Sequence, residues 1–250
     1  MKLHVFSYRY AQEILQHPNN VTAWNEIEHI LSNAPVFIFP GKSKNPRLQI
    51  VQQLMNTYFD RRFAVDCGWE HHPLATGIAE SALTADFRKK FEKITIQAEI
   101  QFGNMARWYS DIFKFQTAYS QSLIQCGLCV VPMGAMARAT DSNIAHYERA
   151  VRELPSANLS ITLPILLIGL EQDARTPEIN VKECRFAALK DIVGKGSNEN
   201  RWRIVNGYMQ GAPMNQIGPN SPVGPMLADA PDDALEISQP EEDIGSEDDA

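Results

Sequence analysis

The chain has 250 residues, of which 44% are hydrophobic and 21% charged, and its formal net charge is −7. This composition indicates a soluble globular protein with a sizeable core, arranged as one domain or two small ones. The longest apolar run, residues 159–170, is too short to span a bilayer and contains Pro164, which excludes a membrane-embedded protein.

The negative charge is concentrated at the carboxyl end of the chain. From residue 219 onward there are ten acidic residues and no lysine or arginine, so residues 1–218 hold 23 basic and 20 acidic residues, a net charge of +3. Such a mildly cationic body with an anionic tail is compatible with DNA binding. Because no periodic apolar pattern continues beyond Gly207, we predict a domain over residues 1–217 and a disordered acidic tail over residues 218–250.

Four cysteines without a recognisable signal peptide indicate a reducing cytoplasm and free thiols. Cys126 and Cys129 have C-x-x-C spacing, but the other cysteines and histidines offer no second close pair for a zinc site. Both residues lie in the apolar segment SLIQCGLCVVP, which is typical of a buried strand. We interpret them as thiols of the core.

The amino-terminal part predicts a strand followed by helices and turns. A basic loop, GKSKNP, precedes a helix that ends in Arg61 and Arg62, and His71 and His72 follow in an irregular stretch. The predicted elements here are a strand over residues 3–8 and helices over residues 11–16, 22–32 (with Thr22 as its cap) and 48–64.

Residues 94–102 (ITIQAEIQF) alternate between apolar and polar side chains, which is the period of a half-buried β-strand. Glu99 and Gln101 therefore share one face with Thr95 and Gln97, while the apolar side chains anchor the other face in a core. A carboxylate near the end of such a strand is held rigidly enough to serve as a metal ligand.

Asp86 lies upstream, in a segment over residues 85–93 that is suited to an adjacent strand and turn. The carboxylates of Asp86 and Glu99, with the carbonyl of Ile100, are the hard oxygen ligands that Mg²⁺ prefers. The alternative interpretation is an ordinary polar strand face exposed to solvent.

Further elements follow the central strand. An aromatic-rich helix, for which core packing and stacking on nucleic-acid bases are both open interpretations, precedes a buried strand and a loop of small residues. The predicted elements are helices over residues 106–122, 144–154 and 183–192, strands over 124–131 and 159–170, and loops over 133–143 and 193–203.

The segment EIQFGN and the aromatic run after it resemble the BglII/BstYI group of type II restriction endonucleases, which have E-x-Q where the wider PD-(D/E)XK superfamily has E-x-K. The similarity extends over about residues 1–175, through WNEIEHIL near residue 24, CGW near residue 67, VVPM, HYE and PILLIGL, in the expected order. The resemblance implies an α/β fold in which a central mixed sheet is flanked by helices.

It also implies Mg²⁺-dependent hydrolysis of DNA phosphodiester bonds, with Asp86, Glu99 and Gln101 as catalytic residues and Asp86, Glu99 and Ile100 as metal ligands. Asp86-Phe87 resembles the D-F pair of the group, although the spacing to Glu99 is longer here, so Glu80 and Glu92 stay open as alternatives. Gln101 is expected to orient the attacking water, because it cannot supply the positive charge of a lysine.

In that group, the loop corresponding to residues 133–143 faces the major groove of DNA. The implied contacts come from its polar side chains and from a residue just past the catalytic strand, which here are Arg138, Thr140, Asp141, Ser142, Asn143 and Asn104.

The implied partners are double-stranded DNA, a second copy of the chain in a homodimer, and a cognate DNA methyltransferase that protects the bacterial or archaeal host. The implied target is a short palindrome that contains GATC. Two other classes stay open: a catalytically inactive DNA-binding protein of the same fold, and a repair or replication nuclease without sequence specificity.

Overall fold

A computed structural model of the protein describes residues 1–227. The strands are β1 (Lys2–Tyr8), β2 (Val36–Ile38), β3 (Glu70–His71), β4 (Phe87–Lys90), β5 (Thr95–Ile100), β6 (Cys126–Pro132), β7 (Ile165–Glu171) and β8 (Glu178–Asn180). The α-helices are α1 (Ala11–Gln16), α2 (Val21–Ser32), α3 (Gln52–Asp60), α4 (Met105–Ser120), α5 (Gly134–Thr140), α6 (Tyr147–Glu153), α7 (Lys190–Val193) and α8 (Asn198–Met209).

Six strands form one mixed sheet in the order β1-β7-β6-β5-β4-β3. The three central strands β7, β6 and β5 run parallel, and the pairs at both margins are antiparallel. A second, two-stranded parallel sheet joins β2 to β8. The predicted α/β fold with a central mixed sheet is therefore confirmed.

Helices cover both faces of the large sheet and create two cores. On one face, α1, α2, α3 and α8 pack against the apolar side chains of β5, from Ile94 to Phe102. On the opposite face, α4 and α6 pack against β6 and β7 through Trp108, Phe115 and their neighbours. The central strands are thus buried on both sides, which explains their nearly continuous apolar sequences.

The free cysteines Cys126 and Cys129 show this two-sided burial directly. Their spacing on β6 places Cys126 in the first core and Cys129 in the second, and both side chains are fully buried. The prediction of core thiols is confirmed, because an odd spacing on a strand puts two side chains on opposite faces.

In the amino-terminal half, several predicted boundaries of strands and helices are close to the observed ones, and others were wrong. Strand β1 and helix α1 lie where the sequence placed them, but α2 begins after Asn20, and Thr22 is inside the helix. Helix α3 starts at Gln52, because the backbone N–H groups of Gln49 and Ile50 donate to Ala139 and hold that stretch outside a helix. A π-helix, Arg61–Asp66, continues α3.

Three predictions after the central strand were wrong. Residues 133–143, predicted as a loop, contain α5, and residues 193–203, predicted as a loop, contain the start of α8. Alanine, methionine and arginine in residues 133–143 favour a helix. In residues 193–203, the buried side chain of Trp202 anchors α8. Residues 183–192, predicted as a helix, hold only the short α7 at their end.

The beginning of the predicted acidic tail is attached to the domain. The backbone carbonyls of Ser221, Val223 and Pro225 accept hydrogen bonds from Arg203 Nε and Asn206 Nδ2 on α8, at 2.6–2.9 Å. The remainder of the predicted tail lies outside the described residues. Within residues 1–227, no helix is both long and apolar enough to cross a membrane.

Candidate active site

The polar face of β5 is covered by helix α4, so its side chains are buried. Gln97 and Glu99 are 0% and 1% exposed, and Gln101 is 8% exposed. The interpretation of this face as a solvent-exposed polar surface was therefore wrong. Because burying an ionisable carboxyl group without a partner is unfavourable, the surroundings of Glu99 need to supply compensating contacts.

The structure places Asp86 opposite Glu99. The antiparallel ladder between β4 and β5 ends at the pair Phe87 and Ala98, and the next step brings Asp86 alongside Glu99. The Asp86 Oδ2 atom accepts a hydrogen bond from the backbone N–H of Ile100 at 2.7 Å. The alternatives Glu80 and Glu92 are both exposed at the surface, away from this arrangement.

Helix α4 supplies a further carboxylate and an ammonium. Lys114 Nζ lies 3.1 Å from Glu99 Oε2 and 2.9 Å from Asp111 Oδ1, and so forms ion pairs with both groups. Asp111 also accepts a hydrogen bond from Gln101 Nε2 at 2.6 Å. Gln101 Oε1 in turn accepts the backbone N–H of Gly103 at 2.6 Å. Because an amide nitrogen carries two N–H donors, these contacts leave one donor with which Gln101 can orient water as predicted.

Burial and mutual repulsion raise the pKa values of these carboxyl groups. Burial, followed by the charges of Asp86 and Asp111, raises the pKa of Glu99 well above its usual value. Burial also raises the pKa of Asp86, and it raises that of Asp111 to about 6. Although burial alone would lower the pKa of Lys114, the nearby carboxylates hold it above its usual value, so this side chain stays cationic.

A second polar group adjoins this cluster on the side of Asp86. Asp60, at the end of α3, has its pKa raised to about 8 by burial and by the charge of Asp86. His71 Nε2 lies 3.8 Å from Asp60 Oδ1, and the rings of His71 and His72 stack with their centroids 3.7 Å apart. Burial lowers the pKa of His71 to about 4. The backbone N–H of His72 donates to the Asp86 carbonyl at 3.0 Å, which joins this turn to the cluster.

The sequence reasoning missed Asp60, Asp111 and Lys114. Asp111 and Lys114 are three residues apart on α4, so they occupy one helical face. That face carries the buried stripe of Met105, Trp108, Ile112 and Phe115. The signal in the sequence was a charged pair beside a buried apolar stripe. Such a pair indicates that a polar partner packs against this face of α4.

The predicted DNA-contacting residues form one surface region, with one exception. Asn104 caps α4 through a hydrogen bond from the backbone N–H of Arg107, and a β-bridge to Ile144 brings it next to Asn143. Five of the six candidates are exposed: Asn104, Arg138, Asp141, Ser142 and Asn143. Thr140 is 3% exposed and its hydroxyl donates to the Met136 carbonyl, so it is not available for contacts with a base.

The oxygen donors of this cluster are compatible with a magnesium ion. Within residues 1–227, no three side chains of histidine, cysteine, aspartate or glutamate are arranged to hold a metal ion. Mg²⁺, however, is commonly bound by one or two carboxylates, with waters and substrate phosphates as the remaining ligands. Asp86 and Glu99, with the Ile100 carbonyl, match that smaller set of hard oxygen ligands.

Comparison with solved structures supports the same class of fold. The crystal structure of restriction endonuclease BglII complexed with a DNA 16-mer matches with a TM-score of 0.58 and 19% identity, covering 70% of this chain and 79% of that one. Free BglII matches with a TM-score of 0.50 and 22% identity, covering 70% and 82% of the two chains. The fold is therefore that of a restriction endonuclease.

The family follows from the sequence. The family model for restriction endonuclease BglII/BglIII matches residues 3–170, about two thirds of the chain. The chain belongs to this family of type II restriction endonucleases, and the resemblance drawn from EIQFGN is confirmed. Among individually curated proteins, no sequence matches the chain.

Proposed function

We propose that the protein is a Mg²⁺-dependent endonuclease that hydrolyses phosphodiester bonds within a short palindromic site of double-stranded DNA. The observation that carries this proposal is the pair of carboxylates beside the end of β5, where Asp86 lies opposite buried Glu99. Family membership supports DNA as the substrate, and the related BglII has been crystallised with a DNA 16-mer.

Asp86 and Glu99 would hold the metal ion, with the Ile100 carbonyl as a further oxygen ligand. The chemistry that such an ion supplies is polarisation of a phosphoryl oxygen and a lower pKa for an attacking water. Hydrolysis adds the water oxygen to phosphorus and breaks the bond to the 3′ oxygen, which leaves with a proton.

Gln101 also acts indirectly in this proposal. Its amide links Asp111 to the backbone of Gly103, and it thereby fixes the Asp111 carboxylate beside Glu99 and Lys114. We therefore assign Gln101 a positioning role in addition to the water-orienting role expected from the sequence.

The exposed surface around Asn104, Arg138 and Asn143 would contact the bases and the backbone of the DNA. A homodimer would supply one active site for each strand, because the two-fold symmetry of a palindrome matches that of a dimer. A site with GATC at its centre, cytoplasmic action in a bacterium or archaeon, and a methyltransferase that protects host DNA complete the proposal.

Digestion of a sequenced plasmid by the purified protein tests the proposal. We expect discrete fragments in Mg²⁺ and none in EDTA, with fragment ends that define one short palindrome. Glu99→Gln, which keeps the side-chain shape and removes the charge, is the matched inactive control. A smear of fragments would instead support the nuclease without sequence specificity.

The rival class, a DNA-binding protein without catalysis, is favoured by one observation. In the present arrangement, Glu99 and Asp111 already share the ammonium of Lys114. Specific DNA binding without cleavage in Mg²⁺ or Mn²⁺ would support this class and contradict the proposed nuclease activity.

A further inference from the structure

The carboxylate cluster contains one side chain whose function is not explained by the roles above. Lys114 is 17% exposed, and within the described residues it is the ion-pair partner of both Glu99 and Asp111. The side chains of these two carboxyl groups are 1% and 4% exposed. The ammonium therefore balances the negative charge of two buried acidic groups, as a bound metal cation would otherwise do.

A lysine in this position competes with a divalent cation. Lys114 Nζ lies 3.1 Å from Glu99 Oε2, and a metal ion held by Glu99 would bring a second positive charge within a few ångströms of the ammonium. Like charges at such a separation repel strongly in a buried site. The flexible four-carbon stem of lysine allows its ammonium to move away from Glu99 while Asp111 still retains it.

The same ammonium has a donor left for substrate. An ammonium carries three N–H donors, and the described contacts of Lys114 use two of them, one to Glu99 and one to Asp111. The position beside the proposed metal ligand is where the scissile phosphate would lie. A fixed cation next to a phosphoryl group stabilises the negative charge that develops on its oxygens during hydrolysis.

We propose that Lys114 is the resident cation of this active site: it competes with the divalent ion for Glu99, and its third N–H donor contacts the scissile phosphate. Asp111 anchors the lysine in both situations, and Gln101 holds Asp111 in place. This inference rests on the proposed function. Its first part, the competition between Lys114 and the divalent ion for Glu99, concerns the protein without DNA.

Titration calorimetry with Mn²⁺, without DNA, tests the competition. Lys114→Met should bind Mn²⁺ about tenfold more tightly than the wild type, because a competing charge has been removed. Lys93→Met is the matched control, since Lys93 is exposed and, among the residues that the structure describes, pairs only with exposed Glu92, at 3.5 Å. Equal affinities of the wild type and Lys114→Met would overturn the competition.

Single-turnover cleavage at saturating Mg²⁺ tests the contact with phosphate. Lys114→Met should cleave roughly 100-fold more slowly than the wild type, and Lys114→Arg should retain more activity because it keeps a cationic donor. If Lys114 served only to neutralise the carboxylates, saturating metal would replace it, and Lys114→Met would cleave at the wild-type rate. That result would overturn the catalytic half of the proposal.

The two proposals can fail separately. If the wild type and Lys114→Met cleave DNA at the same rate, the result supports the nuclease function and refutes the catalytic role of Lys114. If Lys114→Met binds Mn²⁺ more tightly but neither it nor the wild type cleaves DNA, the result supports the competition between Lys114 and the divalent ion. It refutes the nuclease function. If Lys114→Met does not fold in a thermal melt, Lys114→Gln takes its place in both assays with the same expectations.

Discussion

Gln101 Nε2 donates to Asp111 Oδ2 over 2.6 Å, and this contact joins strand β5 to helix α4 inside the carboxylate cluster. Both atoms belong to buried side chains. A buried hydrogen bond to a charged group is stronger than an exposed one and costs more to leave unpaired. The geometry of Asp111, and through it of Lys114, therefore depends on where Gln101 lies.

Gly103→Ala is expected to disturb this contact, and the new methyl group would also lie 3.2 Å from Arg107 Cδ. A Cβ at position 103 would lie 2.5 Å from Gln101 Oε1, so the amide would have to move away from both Gly103 and Asp111. We expect single-turnover cleavage to fall by about 10- to 100-fold, since small displacements of catalytic groups have effects of this size. Ser120→Ala, which changes an exposed side chain at the carboxyl end of α4, is the control.

Glu99→Gln should abolish cleavage and preserve the fold. Removing a carboxylate that binds the metal should lower the cleavage rate by about three orders of magnitude or more. Affinity for cognate DNA should persist, because phosphate contacts elsewhere supply most of it. Rapid-quench kinetics and gel-shift titrations measure the two effects, and near-wild-type cleavage would contradict the assignment of Glu99.

The metal-free protein should lose stability as the pH rises. The pKa of Asp111 is raised by burial from 3.8 to about 6, so between about pH 4 and about pH 6 the folded state keeps a proton that the unfolded chain has released. The free energy of unfolding therefore decreases through this window, and the raised pKa of Glu99 acts in the same direction.

Thermal melts in EDTA at several pH values measure this loss. Asp111→Asn removes one of the titrating groups, so its melting temperature should fall less between pH 4 and pH 7 than that of the wild type. Glu92→Gln, at an exposed position, serves as the control and should follow the wild type. A wild-type melting temperature that rises across this range would refute the expectation.

Arg138→Ala should weaken discrimination at one base pair. Arg138 is exposed on α5, near the other candidate DNA contacts, and a bidentate contact with guanine is worth about 1–3 kcal/mol. Thr140→Val is the matched control on the same helix, because the Thr140 hydroxyl is bonded to Met136 and faces away from solvent. Competition binding with single-base variants of the cleavage site measures the difference.

Removing the acidic carboxyl-terminal residues should increase binding to non-cognate DNA. Residues 228–250 contain ten acidic residues and no basic one, so a tethered polyanion would compete with DNA for a cationic surface. Truncation after Leu227 should tighten non-cognate binding at low salt, and the gain should shrink as salt screens it. Unchanged affinity across the salt range would leave solubility as the role of these residues.

The position of the truncation matters for its interpretation. Truncation after Gly218 would also remove the carbonyl groups of Val223 and Pro225 that Asn206 Nδ2 contacts. Asn206 is 3% exposed, so its amide would lose buried partners. We expect a lower melting temperature for this shorter chain than for the chain that ends at Leu227.

The central strand was predicted well because the alternation of apolar and polar residues that defines it is a local property of the sequence. Alternation from Ile94 to Phe102 fixes which side chains share a face, and the core on the apolar side follows from that alone. The depth of burial of Glu99 was not predictable in this way, because it depends on α4 crossing the polar face. Asp111 and Lys114 belong to that helix, and their relation to Glu99 exists only after the two elements pack.

The helices that were missed have a related explanation. Helix α8 contains three asparagines and Gly207, so its local propensity is weak. It is held by tertiary contacts, with Trp202, Ile204 and Val205 buried and Asn206 bonded to residues beyond the helix. Packing outweighs propensity here, and single-sequence patterns do not contain that packing.

The pairing of β1 with β7 sets the order in which the sheet can be completed. Lys2 lies opposite Glu171, so β1 pairs with the strand of the large sheet that comes last in chain order, after β3, β4, β5 and β6. Before β7 is available, β1 has no neighbour in the large sheet, because within residues 1–227 it pairs with β7 alone. Contacts so distant in sequence slow folding, and β1 is therefore expected to join the sheet late, after the strands that carry the carboxylates have emerged.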